Sequence, residues 1–124
     1  MNVPSRVIAK HAETEILVLT FTEPLLTAAA VREAHAILDT TKPLKVILDC
    51  QFVRFLVSGS LYPNQEPFTP LLILSQQWAA AGGRLVFCNA SPEFTEVLRV
   101  TRLDQIWEVR TDLDAAMACL ETAS

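Results

Sequence analysis

Only three glycines punctuate the 124 residues, and two of them are adjacent. That scarcity excludes a glycine-rich phosphate cradle. Neither GxGxxG nor GxxxxGKS/T occurs, so the common nucleotide-binding loops are missing. Histidine is scarcer still. His11 and His35 stand alone, HExxH spacing does not occur, and there is no GxSxG nucleophile elbow. A catalytic histidine needs a partnered acid and an exposed nucleophile. His11 falls in a weak edge strand and His35 in mid-helix, so each reads as a surface or half-buried side chain. The expectation is a protein that is not an enzyme and uses no cofactor or metal.

Cysteine is present three times, as Cys50, Cys88 and Cys119, with no CxxC pair. The odd number, the wide spacing and the apolar neighbours predict buried free thiols rather than a disulfide framework or a metal site. Positive charge is also short: 10 Lys and Arg against 14 Asp and Glu, for a net charge of −4. Lys10, Lys42, Lys45, Arg84, Arg99 and Arg102 are scattered singly. Without a basic stripe, neither nucleic acid nor an anionic membrane surface is an expected partner. No apolar run approaches the roughly 20 residues that span a bilayer. The opening MNVPSRVIAKHAETE lacks the apolar core of a signal peptide. A cytoplasmic location is the expectation.

Apolar residues are plentiful: 51% of the chain is hydrophobic and 19% charged. That composition supports one core and a single domain over residues 1–124. Strand and helix signals alternate along it. RVIAKHA (6–12) is a weak strand and EILVLTFT (15–22) a stronger one, rich in β-branched and aromatic residues. In LLTAAAVREAHAILDTT the period changes. Leu26, Ala30, Val31, Ala34, Ile37 and Leu38 share a helical face, with Thr27 placed to cap it.

LKVILDC (44–50) is a continuous apolar strand, as expected at the centre of a sheet. Thr69 and Pro70 suit the start of a second helix, and Gly82 and Gly83 its end. RLVFCNA (84–90) is another buried strand. Ser91, Pro92 and Glu93 supply a cap, a pre-set φ and a carboxylate at a helix N-terminus. QIWEVR (105–110) reads as a last strand, and TDLDAAMACL as a last helix capped by Asp112. The order β-β-α-β-α-β-α-β-α predicts an α/β domain: a mostly parallel mixed sheet of four or five strands packed with about four helices.

Two further features bear on function. Asp49 ends a central strand at its C-terminal edge, where α/β sheets place functional loops, and the expected role is to accept from turn amides. Trp78 and Trp107 sit in patterned apolar surroundings and are expected in the core. The connection after Asp49 is unusually long. RFLVSGSLYPNQEPFTPLLIL (54–74) holds two serines, a tyrosine and three prolines between a strand and a helix.

The ordered set of elements from about residue 6 to 120 resembles the STAS domain, the fold of sulfate transporters and anti-sigma-factor antagonists. LKVILDCQFVRFLVSGSL resembles the family's strand followed by a turn, an aromatic, an aliphatic residue and a serine-bearing motif. WAAAGGRLVFCNASPEFTEVLRVTRLDQIWEVRTDLDAAM resembles its second half. The resemblance implies a non-enzymatic regulatory module that binds an anti-sigma factor, itself a histidine-kinase-like serine kinase, or a related signalling protein.

In antagonists the turn reads Asp-Ser-Ser/Thr-Gly-Leu, and one hydroxyl is phosphorylated. Aligning Phe55 and Leu56 with the preceding pair places Val57 on the acid, Ser58 on the first hydroxyl, Gly59 on the second, Ser60 on the glycine and Leu61 on the leucine. Ser58 is then the implied phosphoacceptor, with Ser60 second. YPNQEPFTP is interposed before the helix; a longer loop costs little closure entropy. Glu66 could hold a permanent negative charge near the helix start. The implied partner-binding loop comprises Val57, Gly59, Leu61, Tyr62, Glu66, Phe68 and Thr69. Alternative readings keep the fold without the switch: a scaffold or homo-oligomer using Tyr62 and Phe68 as an adhesive surface, or a domain that senses a nucleotide or lipid.

Overall fold

The computed structural model describes residues 7–13, 16–42, 44–56 and 67–122. Five strands form the main sheet: β1 (Val7–Glu13), β2 (Ile16–Phe21), β4 (Lys45–Asp49), β6 (Arg84–Cys88) and β7 (Glu108–Arg110), side by side in that order. β1 runs antiparallel to β2, and the other neighbours are parallel. A two-stranded parallel sheet, β3 (Leu25–Leu26) with β5 (Phe55–Leu56), lies beyond the C-terminal ends of β2 and β4. The helices are α1 (Ala28–Thr41), α2 (Phe68–Ala80), α3 (Pro92–Val100) and α4 (Leu113–Thr122).

The alternating side-chain direction of strands divides the core in two. On one face Leu17, Leu19, Val46, Leu48 and Phe87 pack against Val31, Ala34 and Leu38 of α1, Leu71, Leu74 and Trp78 of α2, and Phe94 and Leu98 of α3. On the other, Ile16, Val18, Ile47, Val86 and Cys88 pack against Ala116 and Leu120 of α4. Each fully buried aliphatic or aromatic side chain contributes roughly 1.5–3 kcal/mol, so the larger three-helix face carries most of the stability. Trp107 extends that core by stacking on Phe87, with ring centroids 5.0 Å apart, and its indole N–H donates to Ser75 Oγ at 3.0 Å.

The helix ends follow local chemistry. Thr27 Oγ1 accepts from Ala30 N at 3.2 Å, Ser91 Oγ from Phe94 N at 3.1 Å, and Asp112 Oδ1 from Ala115 N at 2.8 Å. After α2, Gly82 takes φ +84°, the left-handed region expected of a glycine that closes a helix.

Three expectations need correction, and two short strands are new. β3 and β5 were not foreseen, because two-residue strands are too short for any periodicity to register. The last strand starts at Glu108 rather than at residue 105: Leu103–Gln105 form a 3₁₀ turn that Arg102 enters at φ 62°. Thr69 does not cap α2. The helix begins at Phe68 with Pro67 already in helical conformation (φ −84°, ψ −17°) and without a side-chain cap. Thr69 and Pro70 therefore sit inside the first turn, where a missing proline N–H leaves no intrahelical bond unmade. Cys50 and Cys88 are buried as expected, but Cys119 is only half-buried, where Arg84 donates to its thiol at 3.1 Å and to its carbonyl at 3.1 Å.

Candidate functional site

The parallel strands end together. Register pairs Ile8 with Thr20, Thr20 with Asp49, Asp49 with Cys88, and Cys88 with Arg110. One row therefore crosses the sheet just before its C-terminal edge, with Asp49 at its centre.

Asp49 is 2% exposed, the only buried charged or polar residue among those described. Its Oδ1 accepts from Gln51 N at 3.1 Å and Asn89 Nδ2 at 3.0 Å. Its Oδ2 accepts from Gln51 Nε2 at 2.7 Å and Thr20 Oγ1 at 3.4 Å. A buried carboxylate without donors would be costly; here neutral donors from three strand ends solvate it. The expected role, accepting from turn amides, holds and extends further, since Asn89 arrives from the β6–α3 turn in a left-handed conformation, φ 56°. That placement aims its amide back at Asp49. The signal in the sequence was modest: an Asn just before the Ser91 cap, a residue type that tolerates positive φ.

The same edge fixes the electrostatics of the thiols. Burial, helped by the nearby Cys88 and Asp49, pushes the Cys50 thiol far above its ordinary value. Burial and the Asp49 carboxylate push Cys88 up to about 12. Both are protonated, unreactive side chains at neutral pH.

From Asp49 the chain turns through Cys50–Arg54, with Val53 N bonded to Cys50 O at 3.0 Å, and enters β5. Pro24 O accepts from both Arg54 N (2.7 Å) and Phe55 N (2.9 Å), which locks β5 beside β3. Leu26 and Val53 anchor this small sheet in the core, at 1% and 2% exposure. Its other side chains are exposed. Leu25 is 41% exposed and its register partner Phe55 65%; Phe52, in the preceding turn, is 49% exposed. Leu25 and Phe52 did not stand out in the sequence, and Phe55 did so only as the aromatic that precedes the serine motif. The available signal was a pair of phenylalanines three apart, flanking a buried valine, immediately after a strand.

Val57, Ser58, Gly59, Ser60, Leu61, Tyr62 and Glu66 lie outside the described residues. The segment that contains them leaves from β5 and returns at the buried Pro67. Phe68 and Thr69 are the first two residues of α2 rather than part of a loop. Phe68 is half-buried and packs on the core, while Thr69 is exposed. Among the described residues, no group of three or more His, Cys, Asp or Glu side chains could hold a metal ion, and no helix is long and apolar enough to cross a membrane.

A five-stranded sheet with one antiparallel edge, three helices on one face, one on the other and a long connection after the central strand has close counterparts among solved structures. An anti-sigma factor antagonist from Mycobacterium paratuberculosis superposes with a TM-score of 0.73 at 16% identity, covering 98% of this chain and 99% of that one. An anti-sigma-factor antagonist (STAS) domain protein from Planctomyces limnophilus gives 0.69 at 22% identity, covering 94% and 98%. The phosphorylated form of SpoIIAA, a Bacillus cell fate determinant, gives 0.64 at 18% identity, covering 91% and 98%. The fold is that of the STAS domain. No family model and no curated protein matches the sequence, so the likeness to STAS structures is one of architecture. Within that architecture, β3 and β5 lie at the C-terminal edge of the sheet.

Proposed function

We propose that this STAS-fold chain is a non-enzymatic regulatory domain in the cytoplasm. In this reading it docks a signalling protein of the anti-sigma-factor, serine-kinase kind with the edge formed by β3, β5, residues 57–66 and the first turn of α2. The observation that carries the reading is the exposed Leu25–Phe55 pair, with Phe52 beside it. Two adjacent apolar side chains held outward by a buried anchor are what a protein interface uses at its centre. They adjoin the segment in which Ser58 and Ser60 are the candidate hydroxyls.

Phosphorylation of Ser58, or failing that Ser60, is the proposed switch. That SpoIIAA has been solved in a phosphorylated form supports the reading. A phosphoryl group adds about −1.5 to −2 charges at neutral pH and would oppose docking on an acidic or apolar partner surface. Incubation with the partner kinase and ATP, read by intact mass, should add one phosphoryl group to the wild-type chain and none to the Ser58→Ala, Ser60→Ala double variant. An unmodified wild type would remove the switch and leave the docking edge to be judged by binding.

A scaffold that self-associates through Tyr62 and Phe68 is the second reading, favoured by the half-exposed Phe68 at the start of α2. Deleting residues 62–68 should then abolish self-association in light scattering.

A further inference from the structure

No acidic, basic or histidine side chain occurs from Phe68 to Gly83. α2 occupies most of that stretch, yet it is a surface helix. Leu71, Leu74 and Trp78 face the core, while Thr69, Ile73, Gln76, Gln77 and Ala80 form an exposed stripe on the opposite side. A surface helix ordinarily turns charged residues outward. The other helices do so: Arg32 and Asp39 on α1, Glu96 and Arg99 on α3, and Asp114 and Glu121 on α4 are all exposed. Among the described helices, α2 alone has an uncharged outer face.

The stripe is also the crest of a ridge between two grooves. On the α1 side a groove of about 380 Å³ runs between Gln77 and Ala81 of the helix and Leu44 on its far wall. On the β7 side a groove of about 150 Å³ runs between Ser75 and Ala79 of the helix and Ile106. Leu44 is 55% exposed, Ile106 65% and Ile73, on the crest, 46%. Leu44 and Ile106 stand just before β4 and β7 begin, at the end of the sheet opposite Leu25 and Phe55. Large apolar side chains therefore gather around α2 independently of the proposed docking edge.

We infer that two copies of this chain pair through this face, α2 against α2, about a two-fold axis. Charge and shape both select a second copy. Each chain carries a net charge of −4, which opposes self-association wherever acidic surfaces meet, and the α2 stripe brings no like charges together. Depletion of charge is also the compositional mark of an interface core. A two-fold interface must be self-complementary, and this face carries both a ridge and the grooves that an identical ridge can enter. In an antiparallel arrangement centred near Gln77, Ile73 of each copy lies over Ala80 of the other, large against small. The Gln76 and Gln77 amides, which both donate and accept, can then bond across the axis. This pairing uses neither the β3–β5 edge nor Tyr62, and it does not depend on either.

Sedimentation velocity of the full chain, from low to high micromolar concentration, tests the pairing. The expected result is a reversible monomer–dimer equilibrium. Ile73→Glu and Ala80→Glu, both at exposed positions, should keep the wild-type circular dichroism spectrum. Each should weaken dimerisation by about tenfold or more, because the two-fold axis makes every substitution bury two unpaired carboxylates. The Leu25→Ser, Phe55→Ser double variant and Tyr62→Ser should dimerise as the wild type does. A chain that stays monomeric throughout, unchanged dimerisation by either glutamate variant, or loss of the dimer in the Leu25/Phe55 or Tyr62 variants would each overturn the inference.

Discussion

Leu25 and Phe55 are register partners in a two-stranded parallel sheet, and both face solvent, while their neighbours Leu26 and Val53 are sunk in the core. The anchors explain why two strands of two residues persist, and the pair itself is largely exposed, at 41% and 65%. Replacing Leu25 or Phe55 by Ser should therefore change stability by less than about 0.5 kcal/mol, as for other surface positions. Leu26→Ala should cost about 2–5 kcal/mol, because it leaves a core cavity. Urea denaturation of the three variants checks the contrast.

Asp49 should behave as the keystone of the strand ends. Asp49→Asn keeps the shape but turns one acceptor into a donor, which faces donors from Gln51, Asn89 and Thr20. A loss of about 1–3 kcal/mol is expected from the donor left unpaired, measurable by chemical denaturation. A variant as stable as the wild type would mean that water replaces these bonds freely.

Acid should weaken the other end of the sheet. Arg84 donates to both Glu108 oxygens, at 2.8 Å and 2.5 Å, and this pairing holds the Glu108 carboxyl below its ordinary value. A depressed folded-state pKa gives stability that is present above the unfolded value, about 4.3, and lost as pH falls through the folded one. Both side chains are about a third exposed, so solvent limits the contribution to about 1 kcal/mol or less. Glu108→Gln should lose that amount at neutral pH and differ little from wild type well below pH 4. Thermal melts across pH check it.

Alkali should act through the buried thiols. Cys50 and Cys88 have folded-state values raised by burial, Cys88 to about 12. The stability linked to Cys88 is complete below the unfolded value near 8.5 and declines as pH rises toward about 12. Under native conditions at neutral pH, iodoacetamide should label Cys119 before Cys50 or Cys88, which should react only on unfolding. Peptide mapping after a short pulse reads the order.

Much of this architecture was legible from local chemistry. Ser91-Pro92-Glu93, Thr27, Asp112 and Gly82 mark helix ends through contacts made within a few residues, and the apolar runs at 45–49 and 84–88 announce central strands. What escaped depends on partners distant in sequence. Asn89 reaches Asp49 across 40 residues, and β3 meets β5 across a helix and a strand. Neither leaves a periodic trace. Thr69 was misplaced as a cap because Pro67 can itself enter the helical region two residues earlier. The exposure of Leu25 and Phe55 could not be read from residue type, since both are ordinary core residues.

The central claim is that the β3–β5 face docks the partner. The most direct measurement is isothermal titration of the proposed serine-kinase anti-sigma partner with the wild-type chain and with the Leu25→Ser, Phe55→Ser double variant, after circular dichroism confirms that the variant is folded. The account predicts saturable binding to the wild type and at least a tenfold loss in the variant, the scale of about 1.4 kcal/mol or more expected at an interface hot spot. Equal affinity for the two chains would contradict it.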